Sequence, residues 1–330
     1  MPFVGSHGTP VSVFCLLVSA VSYCIQSLRY TETTQEDESV TTAASKRQRL
    51  ATRLTQPGII TAPGIFDLIS ARLADRMGFD VLYMTGYGTV ASYLGLPDAG
   101  LATFTDMLNR ASAFAQATET PIIADGDTGY GGLLNVAHTV RHYEAAGVAG
   151  IQLEDQEFPK KCGHTPGRRV VPLEDMVRKV KVACEARAND DFLIVARTDA
   201  RTTLGLDEAL RRAEAYSKAG ADILFVESPE SEEEMQRIAS AFEKPVLINN
   251  VEGGRTPVLS KSRLEEMGFK LAIYPATGFL AMGKALEEVY QGLQKDDVAA
   301  GTQGRLYDFD AFSRLMGFEA VWEFEKAHAE

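Results

Sequence analysis

Cysteine is scarce in this chain. The 330 residues hold four, Cys15, Cys24, Cys162 and Cys184, with no CxxC pair. That excludes a disulfide scaffold and a thiolate metal knuckle, and it fits a reducing compartment. Basic residues are also in deficit: 33 Lys and Arg against 45 Asp and Glu give a formal charge of −12 and a pI near 5.0. Such a chain has no general attraction to phosphate backbones or anionic lipid, so neither nucleic acid nor a membrane surface is an expected partner. If it takes an acidic small molecule, it needs a local cation to do so. No basic residue precedes the apolar stretch at 11–28, as one would in a secretory leader, and Ser, Tyr and Gln dilute that stretch as a membrane span. Residues 1–50 read as a poorly ordered N-terminal extension, with a targeting segment as the alternative, and residues 51–330 as one folded domain. The expected location is the cytoplasm, with the mitochondrion as the alternative.

What is present from residue 59 onward is a repeating pattern. Short apolar runs at 59–66, 81–87, 122–127, 150–155, 192–198, 223–228, 246–251 and 271–276 alternate with helix-length amphipathic stretches such as DLISARLADRMG and GLDEALRRAEAYSKAG. The runs are too short for helices and too uniformly apolar for half-exposed strands, which indicates buried parallel strands. Gly78, Gly147, Gly220 and Gly268 each fall between a helix end and a strand start, where a left-handed helix terminator is needed. Eight such strands predict an α/β fold, a (β/α)8 TIM-type barrel with extra helices at the C-terminus. An open doubly wound sheet is the alternative.

In a barrel of this kind functional groups collect where strands end. The third run reads PIIADGDTGYGG. Asp125 and Asp127, two apart, are expected to face one side, and the glycines behind them let the chain turn close over a ligand. Hard oxygen donors without Cys or His beside them suit Mg²⁺ or Mn²⁺ rather than zinc. Alone, this motif reads as a capped, solvated loop. Glu154 and Asp155 at the end of the next run change that, because four carboxylates on adjacent strands repel without a cation.

The connection after the fourth run, EFPKKCGHTPGRRV, carries Lys160, Lys161, Cys162, His164, Arg168 and Arg169. Cationic neighbours favour a thiolate and draw in anions, and a long loop of Gly, Pro and charge has the composition of a closing lid. A surface loop with an incidental cysteine is the alternative. Arg197, with Asp199 two residues on, is either half of an ion pair across the barrel mouth or the bidentate partner of a bound carboxylate. His138 and His142 have metal-binding spacing but lack the Glu of an HExxH site, and they fall on an outer helix, so they read as surface residues.

From about residue 55 onward the chain resembles the isocitrate lyase/phosphoenolpyruvate mutase superfamily. TGYG, ADGDTGYGG, GIQLEDQEFPKKCGH, VARTDA, FVES and NNVEGGRTP occur in order at successive strand ends. The Cys-Gly-His of the lid places the resemblance in the lyase branch, beside methylisocitrate, 2,3-dimethylmalate and petal-death-type lyases. The resemblance implies an Mg²⁺ (or Mn²⁺) cofactor, a small-molecule carboxylate substrate and a homotetramer. It further implies Asp125 as the direct metal ligand, with Asp98, Asp127 and Glu154 holding its waters. Thr85, Gly86, Tyr87, Gly163 and Asn249 are implied as the substrate cradle, Arg197 as the substrate's arginine and Glu227 as its acidic neighbour. Tyr83 is implied as the base, and Cys162, with His164 beside it, is the expected acid.

These roles fit a retro-aldol cleavage of a 2-hydroxydicarboxylate to a 2-oxo acid such as pyruvate, with 2,3-dimethylmalate as the leading substrate. Methylisocitrate cleavage, oxaloacetate hydrolysis or decarboxylation, P–C bond chemistry and a catalytically silent binding barrel are the alternatives. Two departures bear on the choice. Leu280 in YPATGFLAM stands where methylisocitrate lyases carry an arginine, and Pro275 stands where oxaloacetate hydrolases carry a serine. The first argues for a smaller, more apolar substrate.

Overall fold

The computed structural model describes residues 41–163, 165, 167–296 and 306–329. Its strands are β1 (Ile60–Ile65), β2 (Leu82–Met84), β3 (Ile122–Asp125), β4 (Gly150–Glu154), β5 (Leu193–Thr198), β6 (Ile223–Val226), β7 (Val246–Asn249) and β8 (Leu271–Tyr274). All neighbours pair in parallel, and β1 pairs with β8, so the sheet closes. The open-sheet alternative is thereby removed. All eight expected runs form strands. The second is much shorter than 81–87, because Gly86 opens a helix (α3, Gly86–Leu94) directly after Thr85.

The remaining helices are α1 (Ala43–Thr55), α2 (Leu68–Asp75), α4 (Phe104–Ala117), α5 (Leu133–Ala146), α6 (Leu173–Ala186), α7 (Arg201–Leu204), α8 (Leu206–Lys218), α9 (Glu232–Ala239), α10 (Lys261–Met267), α11 (Thr277–Asp296), α12 (Phe309–Leu315) and α13 (Phe318–Ala327). The four punctuating glycines all lie at positive φ, from 73° to 113°, a region an L side chain rarely enters. Helix α1 crosses the boundary expected at residues 50 and 51: the buried Lys46 donates to the carbonyl oxygen of Ala115 and Leu50 is fully buried, so packed structure begins earlier. The apolar stretch at 11–28, with Cys15 and Cys24, lies outside the described residues. Among those described, no helix is long and apolar enough to cross a membrane.

The barrel interior is built by the period-two alternation of its strands. Ile60, Ala62, Ile123, Leu193, Val195, Ile223, Phe225, Leu247, Leu271 and Ile273 fill it, and Leu50 of α1 joins the same cluster beside Val81 and Ala149. The intervening residues of each strand pack outward on the helices. Continuing the inward alternation toward the strand C-termini replaces apolar residues by Tyr83, Asp125, Gln152, Glu154, Arg197, Glu227 and Asn249. The chemistry is the upper layer of the same stack.

Candidate active site

All of these upper residues except Gln152 line a cavity of about 200 Å³. Its charged side holds Tyr83, Asp98, Asp125, Glu154, Arg197 and Glu227, and its apolar side is Ile273, Pro275, Ala276, Phe279 and Leu280. Thr85, Gly86 and Tyr87 line it where β2 passes into α3, and Asn249 at the end of β7. The loop after β4 roofs it with Lys160, Lys161, Cys162 and Gly163. The bridge between Gln156 and Val170 closes the base of that loop. His164 lies outside the described residues.

Close approach explains two glycines. A Cβ on Gly163 would fall 2.3 Å from Arg197 Nη2 and 2.9 Å from Glu227 Oε2, and one on Gly86 would fall 2.4 Å from Asp125 Oδ2. The roof therefore lies directly on the charged floor. It is tied there by Ser228 Oγ, which donates to the Gly163 carbonyl at 3.1 Å, and by Cys162 N, which donates to the Asp98 carbonyl at 3.2 Å.

Asp125 ends β3, while Asp127 lies beyond it in a turn with φ of 49° and donates its N–H to Asp125 Oδ1 at 3.0 Å. Lys160 reaches down from the roof to Asp98 Oδ1 at 2.5 Å and Asp127 Oδ1 at 2.6 Å. Burial opposes its charge, but Asp127, Asp98 and Asp125 outweigh that and hold the ammonium well above the usual lysine range. Burial raises the pKa of Asp125, lifts Asp127 to about 7 and pushes Glu154 well above the ordinary carboxylate range. As they stand, no three His, Cys, Asp or Glu side chains among the described residues converge in a metal cage, since Lys160 occupies the space between Asp98 and Asp127.

The residues nevertheless fit a hard divalent cation. Asp98, Asp125, Asp127, Glu154, Asp199 and Glu227 outnumber the cations Lys160, Arg168 and Arg197 among them, and the buried Glu154 Oε1 has no hydrogen-bond partner. Oxygen-only donors suit magnesium.

Asp155 does not belong to this group. One residue after Glu154 it faces the other side of the sheet, where it accepts from Thr198 Oγ1, Asp199 N, Arg212 Nη1 and Tyr216 Oη at 2.7 to 3.0 Å. It ties β4 to β5 and α8, whereas Asp98 lines the cavity and pairs with Lys160.

Arg197 is engaged more fully than expected. Its Nε and Nη2 fork onto Asp199 at 2.9 and 2.8 Å, and it also meets Glu154 at 3.4 Å and Glu227 at 3.3 Å. The ion pair at the mouth is therefore present, and the same arginine lines the cavity. Glu227 accepts from Ser228 N at 2.7 Å and from Asn249 Nδ2 at 3.1 Å. Tyr83 donates its hydroxyl to Gln152 Oε1 at 2.7 Å, and burial, with Asp125 next, raises its pKa well above the phenol range. It rests as a neutral donor rather than as a ready base.

Gln152, the bridging role of Lys160 and the ring of Phe279 escape a reading of strand ends. Gln152 was findable, since it precedes Glu154 by two and must share its face. Phe279 sits 5.2 Å from the Tyr87 ring and 6.1 Å from that of Phe66, contacts with no sequence signal. His138 and His142 are exposed on α5, beside Phe104 and away from the cavity.

Comparison with known proteins bears on these observations. The family model described as phosphoenolpyruvate phosphomutase matches residues 50–294. A 2,3-dimethylmalate lyase of Eubacterium barkeri is 50% identical over 288 residues, 87% of this chain and 98% of its own. A 2-methylisocitrate lyase of Aeropyrum pernix is 41% identical, over 82% and 86% of the two chains. Among solved structures, oxaloacetate acetylhydrolase with 3,3-difluorooxalacetate superposes with a TM-score of 0.82 at 35% identity, covering 86% of this chain and 97% of the other. Phosphonopyruvate hydrolase with oxalate and Mg²⁺ gives 0.78 at 29%, over 86% and 99%.

Proposed function

The chain belongs to the phosphoenolpyruvate mutase/isocitrate lyase superfamily, and we propose that within it the protein is a magnesium-dependent carbon–carbon lyase for a small 2-hydroxydicarboxylate, with 2,3-dimethylmalate the leading substrate. The observation that carries this reading is the placement of Cys162 over one cavity with Tyr83, Asp125, Arg197 and Glu227. A cavity of about 200 Å³ suits a small diacid, and its apolar wall of Ile273, Phe279 and Leu280 suits an alkyl substituent.

Asp125, with Asp98, Asp127 and Glu154 around it, would hold the cation, which when bound supplies Lewis-acid polarisation of the 2-oxo fragment. Arg197 binds the substrate's carboxylate and offsets charge as it develops on the departing acid. Tyr83, oriented by Gln152, takes the hydroxyl proton once its own proton has passed to a neighbouring carboxylate such as Glu154, which gives it back when the cycle closes. As that proton leaves, the C2–C3 bond breaks and its electron pair passes to the departing acid as an enediolate. The Cys162 thiol, closed in by the roof, protonates that carbon. Overall one proton moves from oxygen to carbon, with no oxidant and no water consumed.

We further propose that the protein works in the cytoplasm as a homo-oligomer, a tetramer by family resemblance. Supporting association, Met282, Leu286, Tyr290 and Leu293 form an exposed stripe along α11, and Phe318, Val321, Trp322 and Phe324 are exposed on α13.

A panel of 2-hydroxydiacids, assayed for 2-oxo acid release with Mg²⁺ and with EDTA, tests the lyase reading. Alkylated malates should be cleaved, and EDTA should stop the reaction. Release of oxalate from oxaloacetate as the dominant activity would instead favour the hydrolase reading, which the structural likeness to oxaloacetate acetylhydrolase supports and Pro275 opposes.

A further inference from the structure

Arg197 carries one positive charge among three carboxylates, Asp199, Glu154 and Glu227, at 2.8 to 3.4 Å. Alone, that grouping would repel an anionic substrate rather than attract it. A second guanidinium alters the balance. Arg168, at the far end of the roof loop, is buried, and its Nη1 lies 2.5 Å from Asp199 Oδ1, the same oxygen that accepts from Arg197 Nη2. Its Nη2 donates to Thr202 Oγ1 at 2.6 Å on α7. Asp199 is fixed in turn from behind, where its N–H donates to Asp155 Oδ1 at 2.8 Å. The loop thus meets Arg197 twice, through the close approach of Gly163 and through Asp199. Arg168 does not line the cavity and cannot touch what binds there.

We propose that Arg168 is a positioning residue: by sharing Asp199 with Arg197 it fixes the fork of Arg197 and leaves that side chain's remaining N–H groups and charge for the substrate's carboxylate. This rests on Arg197 being the substrate's cation. Its effect on Arg197 runs through Asp199, so Arg168 and Asp199 are energetically coupled although only Arg197 of the two arginines faces the cavity.

The test is a double-mutant cycle on the affinity of the full chain for oxalate with Mg²⁺, read by calorimetry, with Arg168→Met, Asp199→Asn and the double variant. Arg168→Met should weaken oxalate about tenfold, while Arg168→Lys, which keeps the charge, should stay within about threefold of wild type. In the Asp199→Asn background Arg168→Met should cost nothing further. Arg168→Gln, also neutral, should repeat the loss and serves if the Met variant does not fold. Unchanged oxalate affinity with only a lower Tm would reduce Arg168 to a loop clamp and overturn the proposal, as would additive effects of the two substitutions. Oxalate binding needs no turnover. A coupled cycle in a chain that cleaves no 2-hydroxydiacid would therefore contradict the lyase reading and uphold this one.

Discussion

Cys162 and Leu280 line one cavity, the first in its roof and the second on its apolar side, and each commits the site to something different. If the Cys162 thiol is the proton donor, Cys162→Ser should lower kcat by several orders of magnitude and leave oxalate affinity almost unchanged, because only the transition state uses that proton. Steady-state kinetics beside calorimetry checks this, and near-normal turnover would make Cys162 an incidental loop residue. Leu280 concerns selection. Burying a carboxylate without a cation is strongly disfavoured, whereas each alkyl CH2 buried there gains about 0.8 kcal/mol. Neither Arg168, engaged at Asp199, nor Arg255, near Glu230, lines the cavity to hold a third carboxylate. An alkylated malate should therefore exceed methylisocitrate in kcat/KM, and Leu280→Arg should shift that ratio toward the tricarboxylate by about tenfold or more. Both substrates must be measured on both proteins, because a uniform loss says nothing about selection.

At the scale of elements, β-strands and their punctuating glycines were legible because burial on both faces makes each run continuous and apolar. What escaped was parity. Asp155 reads with Glu154 as a rim carboxylate, yet adjacent strand residues face opposite sides, so Asp155 packs against Arg212 and Tyr216 while Gln152 turns inward. Contacts made across loops, such as Lys160 between Asp98 and Asp127, depend on how the roof folds back and leave no local trace in the chain. Helix α1 was hidden for a different reason. Its polar surface, AASKRQRLATRLT, resembles a tail, and its anchors, the buried Leu50 and Lys46 with Arg47, Arg49 and Arg53 at the rim, find partners far along the chain. Because Leu50 is fully buried in the interior cluster, Leu50→Ala should destabilise the barrel by about 2–5 kcal/mol, measured by denaturant unfolding. A change below about 0.5 kcal/mol would show α1 to be dispensable.

For the whole molecule the controlling fact is an excess of carboxylates over cations at one end of a closed barrel, in a chain whose net charge is already −12. A cation bound there at a hundredfold excess over its Kd stabilises the folded state by about 2.7 kcal/mol, which raises Tm by about 5 °C. Mg²⁺ should do this for the wild type and not for Asp125→Ala, which should also be inactive. An active Asp125→Ala enzyme indifferent to metal would remove the cation from the mechanism. On the proposed mechanism a C–C bond breaks and the departing fragment is protonated on carbon inside the closed cavity. Cleavage of 2,3-dimethylmalate in D₂O, followed by NMR, tests it most directly. Pyruvate and propionate should form in equal amounts, the propionate carrying a single deuterium at C2, with no reaction in EDTA. Absence of 2-oxo acid with Mg²⁺ present, or a propionate with no deuterium at C2, would contradict it.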